Sequence, residues 1–182
     1  MNQSDLKKIV EDLIQTFLDA GKISLNLRKK GLTKEIKSDN TPVSNGDLEV
    51  NKILIKKIVS LTPNIPIVSE ETSENKSQDN LENFWLIDPI DGTYDYIHDL
   101  DEFTINAGLI IDSKPAAGLI NAPAKKRMFY SYGDNLAFEI KDDKEIKLGN
   151  LNSNNKTSIE FVSYSNKIKP EIEKIYKEIG VT

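Results

Sequence analysis

Apolar residues recur at three- and four-residue steps through Leu6, Ile9, Val10, Leu13, Ile14, Phe17 and Leu18. That period predicts an amphipathic helix over 4–20, with Ser4 as its N-cap. Gly21 either ends this helix or sits within it, because Ile23, Leu25 and Leu27 alternate and leave the period ambiguous. Residues 28–42 are basic and polar and end at Pro42, which reads as a loop or a short irregular hairpin. A second stripe, Val50, Ile53, Leu54, Ile58, Val59 and Leu61, predicts a helix that begins near Ser44 or Asn45 and is stopped by Thr62-Pro63-Asn64. Ile65–Val68 then reads as a short strand running into Ser69-Glu70-Glu71, residues 72–82 as an exposed polar loop, and Phe84–Ile87 as a buried strand leading into Asp88.

Past residue 100 the texture changes. Phe103–Ile111, Ala116–Asn121, Met128–Tyr132 and Leu136–Ile140 are short apolar runs separated by clusters of turn-forming residues. Their close spacing predicts an antiparallel meander. Residues 149–158 are the best linker candidate, followed by one strand (Ile159–Val162) and one helix (Pro170–Ile179). Two helices followed by a meander argue for an α+β fold rather than alternating α/β units. The expected division is an N-terminal α+β domain over 1–148, a linker over 149–158 and the start of a second domain over 159–182.

Composition narrows the chemistry. The 182 residues are 38% hydrophobic and 29% charged, which fits a folded globular chain. Twenty-four basic against twenty-nine acidic residues give a net charge of −5. A nucleic-acid polymer is therefore a poor partner, since binding it requires cations that displace counterions. The absence of cysteine excludes disulfides, thiolate nucleophiles and cysteine-ligated zinc, and a single histidine, His98, excludes a His-rich metal centre. No apolar run is long enough to span a membrane, and the N-terminus does not read as a signal peptide. A cytoplasmic protein is expected, with peripheral attachment at the inner membrane face left open. Any chemistry falls to carboxylates, hydroxyls and a hard metal.

The most informative stretch is Asp88-Pro89-Ile90-Asp91-Gly92-Thr93. Two carboxylates three residues apart at a strand end, with a proline stiffening the turn, converge on one point and repel unless a cation lies between them. A hard divalent ion such as Mg²⁺ takes oxygen ligands of this kind. Gly92 lets backbone approach a ligand, and Thr93 opens a following helix whose amides and hydroxyl face an anion. Carboxylates, metal and helix start together describe a phosphate site. Glu70 and Glu71 form a second acidic pair at a strand end, one to face the metal and one to support it. Asp47, in the first turn of the second helix, is by position alone a residue that favours the helix dipole. His98 and the Lys125-Lys126-Arg127 turn read as surface features, and Phe84 and Trp85 as core.

These pieces, in order, resemble the Mg²⁺-dependent, lithium-sensitive phosphatases of the inositol monophosphatase superfamily. Within it they look most like the bacterial 3′(2′),5′-bisphosphate nucleotidases of the CysQ type. The resemblance rests on Lys37–Val43 leading to Asp47, Leu61–Glu71, Trp85–Thr93, Glu102–Asn106 and Ala122-Pro123-Ala124, and covers about residues 5–140. It implies a layered α/β sugar-phosphatase fold and hydrolysis of a phosphate monoester by metal-activated water, with two or three Mg²⁺ ions as cofactor. Glu70, Asp88 and the carbonyl of Ile90 would hold one metal, and Asp88 and Asp91 a second. Asp47 and Thr93 would be the catalytic dyad. Glu70, Ile90, Asp91, Gly92 and Thr93 would also line the substrate phosphate. The implied substrate is 3′-phosphoadenosine 5′-phosphate, converted to AMP in sulfate assimilation or nucleotide recycling, with inositol or sugar phosphates as the alternative.

Departures are visible. Ser44-Asn45-Gly46-Asp47 stands where the family tends to show Thr-x-Ala-Asp, and the glycine is expected to loosen the helix start. Ser163-Tyr164-Ser165-Asn166 stands where the nucleotidase branch tends to show Ser-Arg-Ser-His. The family continues through a Trp-Asp-x-Ala segment whose aspartate completes the second metal site, whereas this chain has no aspartate after Asp143. The 182 residues thus read as an N-terminal domain plus the start of the next, and weak or no activity is expected of them alone. The other alternative is an inactive metal- and phosphate-binding remnant. Ile159, Phe161, Val162 and Ile175 are expected to be left exposed, favouring aggregation or a homodimer.

Overall fold

The computed structural model describes residues 1–37, 41–72, 81–134 and 136–149, and the helical residues Lys174, Ile175 and Glu178. The chain forms two compact units, Met1–Gly149 and Asn150–Thr182. In the second, Ile175 is 52% exposed. The linker at 150–158, the strand at Ile159–Val162 and the segment Ser163–Asn166 lie outside the described residues.

The first helix, α1, spans Gln3–Lys30 and is capped by Asn2 rather than Ser4. Asn2 Oδ1 accepts from the Asp5 amide at 2.9 Å, and Asp5 Oδ2 accepts from the Asn2 amide at 3.3 Å, a reciprocal cap. Leu6, Val10, Leu13, Phe17, Ala20, Gly21 and Ser24 form its buried stripe. Gly21 does not end the helix. A Cβ there would lie 2.5 Å from Asn121 Nδ2 and 2.8 Å from Pro123 Cβ, so the glycine lets α1 lie against the sheet. Gly21→Ala adds about 1 kcal/mol of helix propensity but overpacks this contact at a cost of about 1–3 kcal/mol. A lower urea midpoint is the expected outcome.

A two-stranded hairpin, β1 (Lys34–Ile36) and β2 (Pro42–Ser44), leads into α2 (Asn45–Leu61). Thr62 caps the C-terminus of α2 and also accepts from the buried Trp85 indole at 3.0 Å, so one hydroxyl ends the helix and fixes the largest core side chain. Then follow β3 (Ile67–Ser69), β4 (Phe84–Asp91), α3 (Thr93–Ile97), β5 (Thr104–Ile111), β6 (Lys114–Ala122), a 3₁₀ turn at Pro123–Lys125, β7 (Arg127–Tyr132), β8 (Ala137–Lys141) and β9 (Lys144–Leu148).

Strands β3 to β9 form one seven-stranded sheet in sequence order. The β3–β4 pair is parallel and all other pairs are antiparallel, as the meander predicts. Alternation puts Trp85, Ile87, Ile105, Ala107, Leu109, Ala117, Leu119, Met128, Tyr130 and Tyr132 on the buried face. Helix α1 lies against β6 and β7, and α2 against β4. The fold is α+β, two helices on a mainly antiparallel sheet. No helix among the described residues is long and apolar enough to cross a membrane.

Candidate metal and phosphate site

Strands β3 and β4 run parallel with Ser69 opposite Ile87, so the next residue on each, Glu70 and Asp88, emerges at the same end of the sheet. The Glu70 amide donates to the Ile87 carbonyl at 3.1 Å and continues the ladder one step further. Strand β4 itself runs past its expected end to Asp91, through Pro89, with a register shift between Asp88 and Asp91. Proline is tolerated because the ladder is already interrupted there. The bulge re-aims the chain so that Asp88 and Asp91 address the same neighbourhood.

Asp88 is the centre of this group. Its Oδ1 is buried and receives no hydrogen bond. Burial, with the charges of Glu70, Asp91 and Asp47 behind it, pushes its carboxyl up to about 7. Glu70 lies within hydrogen-bonding reach of it, and two carboxylates at that range require a shared proton or a cation between them. An orphaned buried oxygen flanked by acids is a donor set that suits a hard cation. Among the described residues, no three acidic or imidazole groups close into a complete cage.

The other predicted residues are distributed around this centre. Asp91 is exposed, and its Oδ2 accepts from Asn106 Nδ2 at 3.2 Å. Asn106 sits opposite Asp88 on β5, and its own Oδ1 is buried without a donor. The Ile90 side chain is in the core, while its carbonyl accepts from Thr93 Oγ1 at 2.9 Å. Gly92 has φ +88°, and a Cβ on it would meet the Glu102 carbonyl at 2.7 Å, so both conformation and space demand glycine. Thr93 opens α3, a helix of five residues.

Asp47 is almost fully buried. Its Oδ2 accepts from the Ser44 amide at 2.8 Å and the Ser44 hydroxyl at 2.6 Å, and its Oδ1 faces Thr93 Oγ1 at 3.2 Å. Burial raises its pKa and the Ser44 and Thr93 donors oppose that rise. The helix-start and dyad readings therefore describe different oxygens of one carboxylate. Gly46 does not loosen the helix start, because the Gly46 amide donates to Ser44 Oγ at 3.1 Å and the reciprocal cap between Ser44 and Asp47 is complete.

Sequence reading missed Lys37. Its Nζ is 2.8 Å from Glu71 Oε1 and 3.7 Å from Glu70 Oε1. Burial works against its charge, but the bond to Glu71 and the charges of Glu71, Glu70 and Asp47 outweigh it and raise its pKa. Glu71 is buried beneath this lysine while Glu70 stays half exposed. The two glutamates thus differ in exposure, yet both carboxylates lie within 4 Å of the same ammonium. His98 is exposed, its Nδ1 2.7 Å from the Tyr94 carbonyl, and takes no part.

Comparison with known proteins adds relatives. A 3′(2′),5′-bisphosphate nucleotidase CysQ from Aggregatibacter actinomycetemcomitans is 33% identical over 142 residues, covering 77% of this chain and 53% of that protein. The chain thus spans about half the length of the curated relatives it matches. The crystal structure of CysQ from Bacteroides thetaiotaomicron superposes with a TM-score of 0.62 at 19% identity, covering 97% of this chain and 71% of that one. An inositol monophosphatase/NADP phosphatase complexed with NADP and Ca²⁺ gives 0.64 at 18% identity, over 76% and 52%. At these identities the two structures speak to the fold. Residues 5–179 match the model of the inositol monophosphatase family, and the chain belongs to that family.

Proposed function

We propose that this chain carries the metal- and phosphate-binding half of a Mg²⁺-dependent phosphomonoesterase. The proposed reaction is removal of the 3′-phosphate of 3′-phosphoadenosine 5′-phosphate, in the cytoplasm. The observation that carries the reading is the buried, donorless Oδ1 of Asp88 between Glu70 and Asp91. The nucleotide substrate rests on similarity to bisphosphate nucleotidases. Inositol and sugar phosphates are the rival substrates within the family.

In this reading Glu70, Asp88, Asp91 and the Ile90 carbonyl would hold the ions, with Asp88 the central ligand. Bound Mg²⁺ would supply positive charge for the attacking water and for the leaving oxygen. The protein's own groups do the rest. Thr93 Oγ1 has one proton and two acceptors, the Ile90 carbonyl and Asp47 Oδ1. With that proton directed at Asp47, the threonine oxygen offers its lone pairs to a water and orients it. Asp47 is itself fixed by Ser44, so the orientation is built before substrate arrives. Gly92 makes the turn from Asp91 into Thr93, which its positive φ and the nearby Glu102 carbonyl reserve for glycine.

The test is phosphate release from 3′-phosphoadenosine 5′-phosphate, an inositol monophosphate and a sugar phosphate, each with Mg²⁺ and with EDTA. The 182-residue chain is assayed, together with any longer product of its reading frame. The expected result is Mg²⁺-dependent release, fastest with the nucleotide. No release from any of the three by the longest product would overturn the reading, and retained Mg²⁺ binding would then favour a non-catalytic metal- and phosphate-binding protein.

A further inference from the structure

Gly46 and Tyr96 meet in the core behind the site. Tyr96 is on α3, three residues after Thr93, and is fully buried. Its hydroxyl donates to the Ser24 carbonyl in α1 at 2.7 Å, its ring packs on Phe103 at 4.9 Å between centroids, and its amide donates to the Gly92 carbonyl at 3.0 Å. Gly46 is the residue before Asp47 in the first turn of α2. A Cβ on Gly46 would fall 2.3 Å from the Tyr96 hydroxyl and 2.6 and 2.8 Å from its ring carbons. These distances lie far inside van der Waals contact, so the phenol stands where an ordinary side chain on α2 would be. One aromatic side chain therefore ties the Thr93 turn to α1 and sets how closely the start of α2 approaches it. Asp47 and Thr93 are carried on those two pieces.

We infer that Tyr96 is a positioning residue for the Asp47–Thr93 pair, and that Gly46 is the clearance that lets the two halves of the pair reach 3.2 Å. Tyr96 is buried in the core against Ser24 and Phe103, and burial holds its phenol neutral, above the ordinary tyrosine value. Its part is geometric. A Cβ at position 46 pushes α2 from α3 and lengthens the Thr93 Oγ1–Asp47 Oδ1 contact, while the acids around Asp88 sit on other strands and keep their places. The inference rests on the proposed phosphatase reading for its kinetic consequence, though the packing pair stands without it.

The experiment is a double-mutant cycle of Gly46→Ala and Tyr96→Phe in the protein expressed from its full reading frame. It is read by kcat, KM, Mg²⁺ affinity and unfolding midpoint. Gly46→Ala is expected to lower kcat about a hundredfold, with KM and Mg²⁺ affinity changed less than threefold. Tyr96→Phe, which keeps the ring and the fold, is expected to lower kcat about five- to tenfold. In the double variant the freed ring shifts and at least tenfold of the Gly46→Ala loss returns. A wild-type kcat in Tyr96→Phe, or effects that multiply in the double variant, would overturn the inference. A merely structural role would move the unfolding midpoint and leave kcat of the folded enzyme unchanged. If the unsubstituted protein releases no phosphate, the phosphatase reading fails, and non-additive unfolding midpoints still decide the packing pair. Additive midpoints would reject it.

Discussion

Asp88→Asn is expected to lower phosphate release at saturating Mg²⁺ by at least about a thousandfold while making the metal-free protein more stable at pH 8. The loss follows because Asp88 is the central ligand of the proposed ions. One positioned electrostatic group is already worth about 10²–10³ in kcat, and a group that gathers the cation should reach the top of that range. The gain in stability follows from the pKa. The Asp88 carboxyl stands at about 7 in the folded chain against an ordinary 3.8, first through burial and then through the charges of Glu70, Asp91 and Asp47. A raised folded-state value means that the native state binds more protons than the unfolded one between those two values. Its contribution is therefore fully present below about pH 4 and is lost as pH rises through 7. The ceiling is about 4 kcal/mol, but Asp88 is only half-buried and solvent screening leaves ~1–2 kcal/mol. That predicts a thermal midpoint a few degrees higher in Asp88→Asn at pH 8, converging with the wild type near pH 4. Thermal melts in EDTA across this range check the sign. A mutant less stable than wild type at pH 8 would mean that no excess negative charge is gathered there.

The second large effect separates the two oxygens of Asp47. Thr93→Val removes the hydroxyl that faces Oδ1 and leaves the Ser44 cap on Oδ2 untouched. It should cost about 10²–10⁴ in kcat, the usual range for a positioned proton-transfer group, with little change in unfolding midpoint. Asp47→Ala should cost a similar factor in kcat and, in addition, about 1–2 kcal/mol of stability through the lost cap. The double variant should lose no more activity than either alone, since residues acting as a unit do not add. If Thr93→Val retained wild-type turnover, Asp47 would be a helix cap only.

Much of this arrangement was legible in the chain. The second helix starts where Ser44 announces it, and Asp88 to Thr93 carries its strand, turn and helix start in six residues. The meander follows from apolar runs cut by turn formers. What escaped has identifiable physical causes. Helix α1 continues to Lys30 because Gly21 fits against Asn121 and Pro123, a tertiary contact a hundred residues away that outweighs the alternating Ile23, Leu25 and Leu27. Strand β9 is invisible to hydrophobic patterning because every residue in it is exposed, and its turn at Asp142-Asp143 uses two positive φ angles that the sequence supplies without glycine. Lys37 opens the Lys37–Val43 stretch, but its pairing with Glu71 crosses thirty-four positions and has no local signal. The interlock of Gly46 and Tyr96 is equally non-local.

The lone parallel pairing in the described sheet carries a consequence for stability. Strand β3 pairs with β4 across an intervening polar stretch, and that pairing is what brings Glu70 and Asp88 to the same end of the sheet. The mutual repulsion of the acids works against that pairing, so the apolar strands beside it must bear the cost of holding two like charges at one sheet end.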